Sequence, residues 1–90
     1  MLEVKVLGSG CPRCYSLERN ALAALDAILL EAPGLQVSLI RLPDPMSFLD
    51  YQVFRTPALV VNGKVVYSGN VPKRDEILTW YRAALTKEEP

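Results

Sequence analysis

The sequence predicts an α/β domain with the element order β-α-β-α-β-β-α, four strands in one mixed sheet and helices on both faces. Three observations carry that prediction. A strand-like alternation at the N-terminus gives way to a long helical period. A second strand-like run follows that helix, so the two strands are joined by a crossover and should be parallel, with a right-handed connection. Asn62-Gly63 then stands between two apolar runs, a strong hairpin signal. A chain of 90 residues is expected to form one domain over residues 1–90, large enough to bury a core.

The elements follow in order. Leu2–Leu7 places Glu3 and Lys5 between apolar residues and reads as a strand. Gly8 and Gly10 are expected to break it with a flexible turn. From Pro12 the period changes: Cys14, Leu17, Ala21, Leu25 and Ile28 recur every three or four residues, which is one helix face. Leu22 and Leu29 are expected to widen it, while Glu18, Arg19, Asn20 and Asp26 lie elsewhere. Pro12 suits a first turn, where its missing N–H costs nothing, and Ala32-Pro33-Gly34 stops the helix near Glu31. Leu35–Leu42 alternates again and reads as the second strand. Asp44 is expected to cap a short helix with Pro45 at its first position, running to about Tyr51. Ala58–Asn62 reads as a buried strand, and Lys64–Ser68 returns beyond the type I′ turn. A last helix spans about Lys73–Leu85, with Asp75 and Glu76 complementing its dipole. Residues 86–90 read as a solvated tail.

Composition excludes several functions. Ten basic residues balance ten acidic ones, with no basic block of the kind a nucleic-acid surface requires. The longest apolar run, Ala21–Leu30, is interrupted by Asp26 and is too short to span a bilayer. The N-terminus offers neither a basic segment nor an apolar signal core, so a cytoplasmic protein is expected; a monomer is expected as well. There is no histidine, which removes the commonest metal ligand and general base. In a reducing compartment a lone cysteine pair is expected to be reactive rather than structural.

That pair is Cys11 and Cys14, within Gly8-Ser9-Gly10-Cys11-Pro12-Arg13-Cys14. A C-x-x-C at a strand-to-helix junction reads as a redox dithiol. Cys11 should lie at the helix N-terminus and Cys14 one turn further in, on the same face. Unpaired N–H groups of the first turn favour the Cys11 thiolate, and Arg13 adds a nearby cation. Such settings lower a thiol pKa from about 8.5 to roughly 3.5–7.5. The chemistry that follows is thiol–disulfide exchange. Cys11 attacks a protein disulfide, and Cys14 resolves the mixed disulfide to a Cys11–Cys14 bond. Two other readings stand beside it. The thiolates could hold a soft metal, copper or zinc, for binding or delivery, although structural zinc wants four Cys or His ligands. Alternatively, the domain could be a non-catalytic adaptor, with Tyr67, Trp80 and Tyr81 lining a contact surface.

A second constellation is Arg55-Thr56-Pro57-Ala58-Leu59-Val60. A proline entering an apolar strand cannot donate to the ladder, and it makes sense if Thr56–Pro57 is cis and lies beside the cysteines. Taken together, Val6–Cys14, Thr56–Val66 and Gly69-Asn70-Val71-Pro72 resemble the thioredoxin superfamily, in particular its small bacterial and archaeal redox-active disulfide proteins. The resemblance implies a thioredoxin-like fold, a nucleophilic Cys11, a resolving Cys14, a cis-Pro57 and a Thr56 whose backbone pairs with the client chain. It implies disulfide-bearing client proteins, an upstream flavoprotein reductase, and no cofactor beyond the Cys11–Cys14 disulfide itself. Two departures are visible. Lys5 stands about where thioredoxins carry a buried Asp, and a solvated strand lysine is the expectation there. Gly69-Asn70-Val71-Pro72 also does not match the Gly-Gly and acidic residues with which glutaredoxins hold glutathione.

Overall fold

A computed structural model describes residues 1–88. The elements are β1 (Leu2–Leu7), α1 (Pro12–Glu31), β2 (Val37–Leu42), α2 (Pro45–Asp50), β3 (Ala58–Val61), β4 (Lys64–Ser68) and α3 (Arg74–Glu88). They form one four-stranded sheet in the order β2-β1-β3-β4. β1 pairs parallel with β2, antiparallel with β3, and β3 pairs antiparallel with β4. This is the element order and mixed four-stranded sheet that the sequence predicts, and the arrangement that the resemblance to thioredoxins implies.

Register divides the sheet into two faces. Opposite residues of an antiparallel pair share a face, so Val4 with Val61 and Val6 with Leu59 point one way. They meet Leu17, Ala21, Leu25 and Ile28 of α1 and Ile77 and Tyr81 of α3 in the main core. Leu7 with Ala58 points the other way and joins Val53 and Val60 in a smaller cluster, covered by Phe48 of α2 and by Tyr51. α1 and α3 therefore lie on one face and α2 on the other.

Several boundaries differ from the sequence reading. β2 begins at Val37 rather than Leu35, because the Leu35 N–H donates to the Ala32 carbonyl (3.0 Å) in the turn that closes α1. β3 ends at Val61, and Asn62 enters the turn, where Asn62 and Gly63 have φ of 50° and 82°. α3 begins at Arg74 and runs to Glu88, past the expected stop at Leu85. Residues 86–88 are thus helical, while Glu89 and Pro90 lie outside the described residues. Leu22 does not widen the buried face of α1: it is 46% exposed, and Ala24 is buried instead. Tyr81 is completely buried, which removes it from any contact surface; Tyr67 and Trp80 stack on each other at 5.4 Å between β4 and α3. Among the described residues no helix is long and apolar enough to cross a membrane.

Candidate active site

The site forms where β1 ends. Gly8 extends the β1–β2 pairing, its N–H donating to the Leu42 carbonyl at 3.2 Å. Gly10 turns the chain with φ of 98°, a conformation that side chains with a Cβ rarely adopt. Cys11 then caps α1 in extended conformation, with Pro12 at the first helical position. Its carbonyl accepts from the N–H groups of Cys14 (3.0 Å) and Tyr15 (3.2 Å). Its sulfur takes the position of a capping oxygen: the Cys14 N–H donates to Cys11 Sγ at 3.3 Å. A helix N-terminus has unsatisfied donors, and here a thiol sulfur satisfies one of them.

Both cysteines are free; Cys11 is half-buried and Cys14 fully buried. Their acidities are driven apart. The Cys14 thiol and then the Cys14 backbone N–H hydrogen-bond the Cys11 sulfur and lower its pKa, aided by the Arg13 N–H. Burial pushes the Cys14 thiol up, and its hydrogen bond to Cys11 adds to that. A thiolate accepts hydrogen bonds better than a thiol does, so donors aimed at Cys11 favour its ionised form. Arg13 itself is exposed, so its main contribution comes from its backbone N–H.

The segment before β3 reaches the same place. The Thr56–Pro57 peptide is cis. Pro57 is buried, and Thr56 is half-buried beside it. The Gly69 N–H donates to the Pro57 carbonyl (2.9 Å), tying the end of the hairpin to this segment. A Cβ built on Gly8 would lie 2.3 Å from Cys14 Sγ and 3.9 Å from Pro57 Cβ. The two sequence motifs, far apart in the chain, therefore meet across Gly8. Asn20 of α1 donates to the Pro72 carbonyl at 3.0 Å, tying the segment after β4 to the helix.

A family model described as a thioredoxin domain matches residues 2–82. The chain belongs to the thioredoxin family. It is 25% identical over 77 residues to a thioredoxin of Methanocaldococcus jannaschii, a match covering 86% of this chain and 83% of that protein. It is 26% identical over 77 residues to a thioredoxin of Methanothermobacter thermautotrophicus, covering 86% and 94%. Its fold resembles the solution structure of the N-terminal domain of Synechococcus elongatus SasA, with a TM-score of 0.65 at 19% identity over 99% of this chain and 87% of that one.

Two site features of this thioredoxin-family chain carry no local sequence signal. The sequence predicts Gly8 only as part of a flexible turn, yet it lies against the Cys14 sulfur. It predicts Lys5 as a solvated strand lysine. Instead its side chain is 23% exposed, its Nζ donates to the Tyr51 hydroxyl at 2.8 Å, and it sits 3.4 Å from a Glu3 carboxylate oxygen. The hydrogen bond to Tyr51 is the main reason its pKa is raised, so Lys5 is charged and is no acceptor for a thiol proton. Tyr51 lies in the segment joining α2 to β3, and no local pattern around Lys5 announces it.

Proposed function

We propose that this protein is a dithiol–disulfide oxidoreductase acting on disulfides of client proteins. The observation that carries the reading is the split between the two sulfurs. Cys11 caps a helix and is activated by donors from its first turn, while Cys14 is buried and held as a thiol one turn below. The low-pKa sulfur attacks and the high-pKa sulfur waits.

In the first step Cys11 Sγ forms a bond to one client sulfur. The client S–S bond breaks, and the second client sulfur leaves as a thiolate that takes up a proton. In the second step Cys14 loses its proton and attacks Cys11 Sγ. The mixed disulfide breaks, the remaining client thiolate departs, and a Cys11–Cys14 disulfide is left. Two electrons pass from the dithiol to the client. With Lys5 already protonated, the Cys14 proton goes to water or to the departing thiolate. The Thr56 backbone would pair with the client as a short added strand, beside Pro57 and the exposed Pro12 and Arg13. Turnover needs a reductant for the new disulfide, and a flavoprotein dithiol reductase is the class proposed. A monomer in a reducing cytoplasm suits this chemistry.

Reduction of a protein disulfide such as insulin's tests the reading. The wild-type chain should turn over with a reductant present. Cys11→Ser should be inactive, and Cys14→Ser should accumulate a mixed disulfide with the client. Copper or zinc retained stoichiometrically, with no reduction by the wild type, would support the metal-delivery reading instead.

A further inference from the structure

We propose that Gly8 is a positioning residue for the resolving thiol: the Cys14 sulfur occupies the space in which any other residue at position 8 would place its Cβ. The inference rests on the redox reading above and goes beyond it by naming what fixes the second sulfur.

The geometry is specific. A Cβ on Gly8 would lie 2.3 Å from Cys14 Sγ and 3.0 Å from Cys14 Cβ. The first distance is far inside van der Waals contact, so one of the two groups would have to move. Unlike Gly10, Gly8 does not have a positive φ, so its backbone is open to any residue and the requirement is for space alone. The backbones around the clash are tied down, so the group left to move is the Cys14 sulfur. Gly8 is hydrogen-bonded to Leu42 of the adjacent strand, Cys14 is fixed by the first turn of α1, and Pro57 is held through its carbonyl by Gly69. The sulfur is fully buried against Gly8, and Pro57 Cβ lies 3.9 Å from the same Cβ position. Attack on Cys11 Sγ needs the Cys14 sulfur aligned with the mixed disulfide, and a misplacement of about 1 Å can cost roughly a hundredfold in rate.

Gly8→Ala is the direct test, read by single-turnover kinetics on a disulfide peptide. The first step, attack by Cys11, should change by less than a few fold at a pH where Cys11 is ionised. The resolving step should slow by about tenfold or more, so that the mixed disulfide accumulates although Cys14 is present. Alkylation against pH should show the two thiols drawn closer together, because a displaced Cys14 loses both its burial and its hydrogen bond to Cys11. A stability cycle keeps the test open should Gly8→Ala fold poorly. The loss of melting temperature caused by Gly8→Ala should be clearly larger with Cys14 present than in a Cys14→Ala background. Equal losses in both backgrounds, failure to fold in both, or a folded Gly8→Ala resolving at the wild-type rate would each overturn the proposal. Should the wild type reduce no disulfide at all, the redox reading fails, and the stability cycle still decides whether Gly8 holds the sulfur.

Discussion

Removing a single oxygen from the core probes how α3 is locked onto α1. Tyr81 is completely buried, and its hydroxyl donates to the Ala21 carbonyl at 3.1 Å. Tyr81→Phe keeps the ring and deletes that bond. Ala21 lies inside α1, so its carbonyl keeps a helical partner and the loss should be about 1 kcal/mol at neutral pH. A domain of this size should melt roughly 4–8 °C lower for that change. Burial raises the phenol pKa above its ordinary value, and the sign of the pH effect follows. An acid whose folded pKa exceeds its unfolded one binds more protons in the folded state, so stability falls once pH passes the unfolded value near about 10. The slope is about 1.4 kcal/mol per pH unit, and the Phe variant lacks this term. The two proteins should therefore become equally stable near about pH 11, with Tyr81→Phe the more stable beyond it. Urea denaturation of both proteins, repeated from near pH 7 to about pH 11, measures this directly. A difference that stays constant over that range would show that the hydroxyl ionises as freely in the folded protein as in the unfolded one, and the buried hydrogen bond would be refuted.

Three further outcomes are expected. Alkylation rates against pH should give Cys11 a midpoint below that of an ordinary thiol and Cys14 one above it; two coincident midpoints would contradict the capping geometry. Gly10→Ala forces a Cβ into the φ of 98° and should destabilise by about 1–2 kcal/mol, read as a lower urea midpoint; an unchanged midpoint would mean the turn relaxes freely. Asn62→Ala removes the acceptor that takes the Glu3 N–H at 2.8 Å and a residue suited to positive φ. It should cost about 1 kcal/mol or more, with disulfide reduction unaffected at a temperature where the variant is folded; lost activity in the folded variant would refute that separation.

The local signals of the chain were legible because they are backbone chemistry. Alternation in β1, the capping Asp44, which accepts the Met46 N–H, the Asn62-Gly63 turn and the C-x-x-C at a helix start all declare themselves within a few residues. The end of α3 is less legible than those of α1 and α2. α3 runs past the last apolar residue because Thr86, Lys87 and Glu88 contain no breaker, so the end of the apolar period was not the end of the helix. Leu22 follows Ala21 directly and so lies about 100° further round the helix, enough to bring it out to solvent. What stayed hidden depends on contacts between distant segments. Lys5 meets Tyr51, and Gly8 meets both Cys14 and Pro57; neither encounter has a periodicity or spacing that a linear reading detects. Cys11 and Cys14 are readable as a pair, the first at the exposed helix end and the second shielded one turn in; what the sequence leaves out is which distant residues lie against the inner sulfur.

That burial gives the inner cysteine a second use, as a clock. Its cover comes from a strand end, a helix and a hairpin base that are neighbours only once nearly the whole chain has come together. A brief pulse of thiol reagent in mild denaturant would therefore label Cys14 faster as that cover opens, above the slow reaction of the folded protein. Cys11, already half-accessible, would serve as the internal reference in the same tube, so that one mass spectrum reports the opening of the cover without any added probe.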